Sequence, residues 1–525
     1  MKSLLSEPSE EPERPPLWSR ESHGFQTYGY DHGLPDLDLH VNNDGDALQI
    51  SKSPDLRRAS AAVSVNSSSS GDADPMPLAF EPGGYYARPV AIKIHRSLEP
   101  LPPELTSNPM NLLYFHHFIN HTGRILVPHD CPENPFRTVL PQIAVRNRQL
   151  LHLFLAFSAS HRARLLHQDE PANRIARWME DVIPALQKAL AEPTTPGTTD
   201  PTDPSTLAPL ATAIMLSSLE IISPNTFAVS IPWQQHLSMA RRMIISKGGL
   251  DHLAQKAGGV RDKAIFFLSR WFAYLDVLGS LSGSQQEQPL DGAYLEDGGG
   301  LWLVNRDNDE VYQVDCFFGF SGRCLSLLAQ VAELAAQCDM QRIDRVEKRI
   351  RLEWRPSDTL RHEAEELVKR IRASATMVYR SCTHKNPLTP QSPESTKTES
   401  TRSDMDAESI FATNEAYHYA GLIHLHRRVL AFPSTSPEVQ DSVHKIIECL
   451  AKVRKGSTAE SCLLFPLFTA GAEAQSLAER AIFMDRLLAV EVWGMHQMVR
   501  ARELMERVWL EGRPWEVMVD GEFFG

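Results

Sequence analysis

Cysteine is scarce and poorly spaced for metal. The 525-residue chain carries seven, at 131, 316, 324, 338, 382, 449 and 462, with no CxxC; the closest pair, Cys316 and Cys324, has seven residues between them. This excludes the usual zinc ribbons and fingers, whose ligands come in closely spaced pairs. The odd count argues against a disulfide framework and for reduced thiols in an intracellular protein. The opening residues, MKSLLSEPSEEPERPP, lack the apolar stretch of a signal peptide. The densest apolar run, Leu150 to Phe157, is already broken by His152, so no stretch is expected to reach the ~18 apolar residues of a membrane span. Positive charge is short too. Lys+Arg is 53 against 66 Asp+Glu, a formal charge of −13. That is the wrong sign for a general nucleic-acid binder, which gains affinity by neutralising phosphates.

Catalytic motifs are missing as well. There is no G-x-S-x-G, and Ser158 sits in a helical pattern instead of a strand-to-helix elbow. Gly298-Gly299-Gly300 lacks the G-K-[ST] that would hold phosphates, and no strand precedes it to make a dinucleotide site. Asp307-Asn308-Asp309 starts like a calcium loop, but the third ligand position is Val311 and no Gly follows. The DDxxD of all-α terpene cyclases is absent. His116, His117 and His121 cluster on one expected helix, but the residue after His117 is Phe118, not the Glu of an HExxH zinc protease. His424 and His426 are two apart and point to different helix faces. Such histidines are expected to be packed and hydrogen-bonded. No catalytic, cofactor-binding, metal-binding or DNA-binding residue is assigned, and the chain is read as a non-enzyme.

The chain does have material for a core: 42% of its residues are hydrophobic and 23% charged, an ordinary globular balance that needs no staples. From about residue 108 apolar positions recur at helical spacing. Leu150, Leu153, Phe154, Phe157 and His161 form one face; Trp233, Leu237, Ala240 and Ile244 form another, stopped by Gly248-Gly249. Phe267, Trp271, Tyr274 and Leu278 make a third, and Leu325, Leu328, Val331, Ala332 and Ala335 a fourth. Ser436-Pro437-Glu438 supplies an N-cap, an N1 proline and a first-turn acid. A last long helix is expected from about Ala478 to Leu510. With no β-alternation and no repeat period, the fold class is all-α: a large irregular domain of about a dozen helices over 108–515.

Polar segments frame it. Residues 1–107 hold nine Lys/Arg and sixteen Asp/Glu, Ser67 to Ser70 in a row, and frequent Pro, the composition of a disordered acidic leader. Within it, Tyr30 to Ile50 alternates acid with Leu; it is either an activation segment that folds on a partner or a solvated tail. Arg57-Arg58-Ala59-Ser60 fits a basic-directed kinase site at Ser60. Two flexible Pro/Thr/Ser-rich inserts are expected at 192–206 and 383–409, and 516–525 is read as a tail. Arg342, Arg345, Lys348, Arg349, Arg351 and Arg355, interleaved with Asp344, Glu347 and Glu353, have the mixed signs of a solvated, salt-bridged helix.

Several blocks together resemble a known family. Phe115 to Leu166 is similar to the opening of the fungal-specific transcription factor domain, the helical regulatory half of many fungal zinc-cluster regulators. Asn134-Pro135-Phe136-Arg137 with Leu140-Pro141 matches its NPWR…LP block. Trp233-Gln234-Gln235-His236-Leu237, Ala240 and Gly248-Gly249 match its W…HL…A…GG helix. Phe267 to Gly283, with the core RWFAYLDVL, is the closest block. Val314-Asp315 with Gly319-Phe320-Ser321, Ala416-Tyr417 to Arg428, and Phe465-Pro466-Leu467-Phe468 with Gly471 and Glu473 complete the series over about 110 to 510.

The resemblance implies an all-α transcriptional regulator of the fungal nucleus that works through protein partners, as a homo- or heterodimer with a DNA-bound co-regulator. Full-length members carry a six-cysteine zinc cluster, but the first 130 residues here contain no Cys. Zinc and direct DNA binding are therefore not carried over; either the chain borrows a partner's DNA-binding head or the gene model has lost one. The residues alone also allow a helical small-molecule sensor or scaffold without transcriptional output. In both readings Trp271 and Tyr274 are core positions, Pro466 breaks a helix and Gly471 permits close packing.

Overall fold

The structure, a computed structural model, describes residues 94–165, 170–191, 204–224, 232–254, 262–283, 289–290, 292–294, 313–344, 346–381 and 396–525. Among them, fourteen helices run eight residues or longer. They are α1 (Pro109–His117), α2 (Arg148–Leu165), α3 (Ala172–Met179), α4 (Val182–Ala191), α5 (Pro204–Ile222), α6 (Trp233–Ser246) and α7 (Lys263–Ser282). After these come α8 (Gly322–Arg342), α9 (Asp358–Ala375), α10 (Thr396–His424), α11 (Pro437–Lys452), α12 (Leu464–Ala472), α13 (Leu477–Glu491) and α14 (His496–Glu511). Two π-helical turns, Phe118–Thr122 and Leu425–Val429, extend α1 and α10. The all-α class holds.

Local chemistry sets many of the helix starts. The side chain of Asn108 accepts the N–H groups of Met110 and Asn111, with Pro109 at N1. Asp262, Ser321 and Ser357 cap α7, α8 and α9 by accepting from Ile265, Cys324 and Leu360. Ser476 and Glu479 close a reciprocal capping box on α13. Each device satisfies donors that a first helical turn leaves open. Ser436 stands at the N-cap of α11 as expected, but its hydroxyl makes no cap bond. Gly248 follows the C-cap of α6 at φ +91°, a left-handed stop that suits glycine.

One hydrophobic core runs from Leu98 to Phe524, with a small satellite of Val314, Tyr379 and Ile410. α5 packs along α6, α8 along α7, and α10 along α11. The segment after α14 returns to this core.

The structure departs from the sequence reading at several places. The basic run is no helix: β1 (Ile343–Asp344) and β2 (Arg349–Ile350) pair antiparallel, with Ile343 opposite Ile350. Asp344 accepts the N–H groups of Val346 and Glu347 at 3.1 Å, and Lys348 has φ +47°. This local turn competes with helix. The expected 478–510 helix is two, α13 and α14, separated at Gly494 with φ +72°. Residues 396–409 of the expected second insert are helical, at the start of α10, and α5 begins at Pro204 inside the first insert. Packed structure starts before 108, since Leu98 and Leu105 are buried. The 516–525 segment is no loose tail: Val517, Met518, Phe523 and Phe524 are buried, and Phe468 stacks on Phe524 with ring centroids 3.7 Å apart. Helix α7 is long and apolar enough to cross a membrane by length and composition, contrary to expectation, but 78% of its apolar window lies buried inside protein. That is the setting of a core helix. Pro466 does not break α12; it sits in the first turn, where a missing N–H costs nothing.

Candidate functional site

The end of α5, the middle of α7 and the start of α14 converge on an apolar cavity of about 70 Å³. Its apolar wall includes Ile221 and Ile222, Trp271 and Tyr274, Phe317 and Phe318, Met498 and Phe523. Its polar rim is sparse: Ser218, Ser461, Cys462 and Gln497. Gln497 is 7% exposed, its amide oxygen has no hydrogen-bond partner, and its amide nitrogen reaches only Met495 Sδ, at 3.9 Å. A buried amide with unused capacity carries a desolvation cost of about 1–3 kcal/mol, which a ligand supplying a donor relieves. Burial pushes the Cys462 thiol up to about 12. Burial and then the neighbouring Cys462 raise the Tyr274 hydroxyl, against the pull of its bond with Tyr417. Both groups stay protonated at neutral pH, so this chemistry suits a small, neutral, mostly apolar molecule.

A buried ion network ties the C-terminus to the middle of the chain. Arg428, at the π-turn after α10, donates to Asp339 Oδ2 from two nitrogens, at 2.6 and 3.0 Å, and to the Leu281 carbonyl at 3.0 Å. Asp339 Oδ1 also accepts from Arg342 at 2.7 and 3.0 Å. Arg342 in turn reaches Glu516 at 3.1 Å. Burial opposes the charge on Arg342, but Asp339 and Glu516 outweigh it and hold the guanidinium protonated. Burial likewise pushes the Glu516 carboxyl up, and Arg342, Arg427 and Arg428 more than reverse this, holding it below its ordinary value. Two buried cations facing two buried anions make a neutral network.

Trp271, Tyr274, Phe317 and Phe318 of the cavity and Arg428 of the network fall within blocks on which the resemblance rests. The profile of the fungal specific transcription factor domain matches residues 113–520, most of the chain. The chain belongs to the fungal specific transcription factor domain family. Comparison with curated proteins and with solved structures gives no match. Membership in a family of transcription factor domains implies a regulatory, nuclear role, and this is not an enzyme family.

Within this fungal transcription factor domain, the residues singled out from sequence are mostly structural. Asn134 caps the turn Pro135–Thr138 and donates to the Gly123 carbonyl at 2.8 Å, while Arg137 binds Asp130 and the Ile119 carbonyl. His117 Nε2 lies 3.1 Å from His161 Nδ1, and His161 Nε2 donates to the Trp493 carbonyl at 2.9 Å. Burial first, and neighbouring histidines next, depress His117 and take His121 to about 3. This is the environment of packed neutral rings. His424 bonds Thr469 at 3.1 Å and stacks on Phe465, whereas His426 stacks on Phe432, so the two do not converge. Ser158 donates to the Tyr114 carbonyl at 2.6 Å. Among the described residues no three His, Cys, Asp or Glu side chains group as a metal site. Ser60, Tyr30 to Ile50, Gly298 to Gly300 and Asp307 to Asp309 lie outside the described residues.

Sequence reasoning missed Gln497, and it missed Asp276. Asp276 is fully buried in the RWFAYLDVL core, where it binds Arg241 at 2.5 Å and accepts from Tyr294 and the Leu290 N–H, both at 2.7 Å. The available signal for Asp276 was a single acid inside an apolar helix. For Gln497 there was none.

Proposed function

We propose that this chain is a transcriptional regulator that acts in the nucleus through protein partners and reaches DNA by way of a DNA-bound partner or a separate zinc-cluster head. The carrying observation is the family match over 113–520. The formal charge of −13 supports the reliance on partners, because an acidic chain gains little from DNA phosphates. The acidic Tyr30 to Ile50 stretch is the natural contact for transcription machinery. Tethering the full chain to a foreign DNA-binding domain upstream of a reporter tests the reading. Activation or repression is expected, and a reporter that stays at baseline under all growth conditions would count against it.

A second reading, a small-molecule sensor, is favoured by the cavity and the partnerless Gln497 amide oxygen. A compound that fills the cavity stabilises the fold by mass action, so a screen of small neutral amides and alcohols should raise the melting temperature of the native chain but not of Met498→Trp. Equal shifts in both proteins would remove this site from consideration.

A further inference from the structure

Two turns far apart in sequence press together next to the cavity. One follows the first π-turn, where Cys131 donates its N–H to the His129 carbonyl at 3.0 Å and accepts from Asn134 at 3.0 Å. The other precedes α8, where the Asp315 carboxylate accepts the Phe317 N–H at 2.7 Å and the Asp315 carbonyl accepts from Gly319 at 2.8 Å. Contact between the turns is tight. A Cβ on Gly319, whose φ is +75°, would lie 2.8 Å from Pro128 Cγ, and Phe136 stacks on Phe317 with centroids 5.6 Å apart. In this contact Cys131 Sγ and Cys316 Sγ lie 3.4 Å apart, although 185 positions separate them in the chain. Closing to the roughly 2.05 Å of a disulfide needs an approach of little more than an ångström.

The surroundings supply access. Cys316 is partly exposed. Cys131 is buried but lines an open cleft of about 840 Å³ together with His95, Arg124, Asp130 and Arg137. By contrast Cys324 and Cys338 are buried inside α8. We propose that Cys131 and Cys316 are a redox pair that a peroxide converts to a disulfide. The Cys316 thiolate attacks one peroxide oxygen, the O–O bond breaks, and a sulfenic acid forms with release of water. The Cys131 thiol then attacks that sulfur, the S–S bond forms and a second water leaves. Two thiols and one peroxide become one disulfide and two waters; the sulfurs are oxidised by two electrons and the peroxide is reduced by two. The bond would lock Pro128 and Phe317, both part of the cavity wall, into a single fixed contact.

The test uses the full chain in its native state. The protein is treated with hydrogen peroxide, its remaining thiols are alkylated, and its peptides are mapped by mass spectrometry. The expected result is a Cys131–Cys316 linked peptide that reductant removes, with Cys324 and Cys338 alkylated only after unfolding. In Cys131→Ser, Cys316 should accumulate as a sulfenic acid that dimedone traps. In Cys316→Ser, Cys131 should remain a free thiol at the same peroxide dose. The oxidised wild type should melt higher than the reduced form, with the difference absent from both variants. The proposal is overturned if both thiols of the peroxide-treated wild type are recovered alkylated, or if either is found linked to a different cysteine such as Cys382 or Cys462.

Discussion

Gly279 leaves no room for a side chain. A Cβ there would sit 2.6 Å from a ring carbon of Trp233. That ring cannot yield easily, because its Nε1 donates to the Gly521 carbonyl at 3.0 Å and it packs against Phe523 in a T-shaped contact. Gly279→Ala should therefore lower stability by about 1–3 kcal/mol, the range for overpacking, read as a fall in the denaturation midpoint. An unchanged midpoint would contradict this contact. The sequence pattern did put Trp233, Trp271 and Leu278 on buried faces, because helical period alone decides which side of a helix turns inward. Period carries no information about which faces meet. The Gly279–Trp233–Gly521 contact and the Gln497 amide at the cavity depend on pairing across hundreds of residues, so they were not legible.

Asp339 holds helices together more than it holds any one of them. It sits on α8, binds Arg428 from the π-turn after α10, and binds Arg342, which reaches Glu516 beyond α14. Removing it leaves two buried guanidinium groups facing one carboxylate. Asp339→Ala should cost about 3–5 kcal/mol, and proteolysis should then begin at the C-terminal segment, whose anchor at Glu516 is weakened. The same mutation with no change in unfolding would mean that the network is solvated. At this scale the sequence was readable where caps, prolines and apolar period agreed, as for α6, α7 and α8. It misled where a local turn or a long-range partner overruled period. Arg342 was assigned to a solvated face, yet two carboxylates draw it inside. Between α13 and α14 the apolar period continues while Gly494 packs against Leu165; a Cβ on it would meet Leu165 Cγ at 3.3 Å, and its positive φ ends the helix. The C-terminal segment looked like a tail because ten residues contain no period, but Val517, Met518, Phe523 and Phe524 pack into the core.

Across the whole molecule, burial leaves many histidines neutral. Burial takes His161, His236, His418 and His426 each to about 4, from an ordinary value of 6.5. In the unfolded chain these rings gain protons near 6.5, so below that pH the unfolded state binds more protons than the native one. Their contribution to stability is whole above pH 6.5 and declines as pH falls towards 4, by about 1.4 kcal/mol per pH unit for each ring. A melting temperature that drops steadily from pH 7 to pH 4.5, with proton uptake on unfolding, is expected; a flat profile would mean that these rings are solvated. Fold class, family and the lack of recognised catalytic motifs could be read from the chain, since each is a property of composition, period or ordered blocks. The partners could not be read, because surface recognition leaves no periodic trace.

A transcriptional regulator works at promoters. Chromatin immunoprecipitation of the tagged native chain from growing cells tests it most directly. Enrichment at discrete promoter sites, reached through a partner or a separate DNA-binding head, is expected, with altered expression of the adjacent genes when the chain is deleted. A uniform background across the genome, with the protein excluded from nuclei, would contradict it.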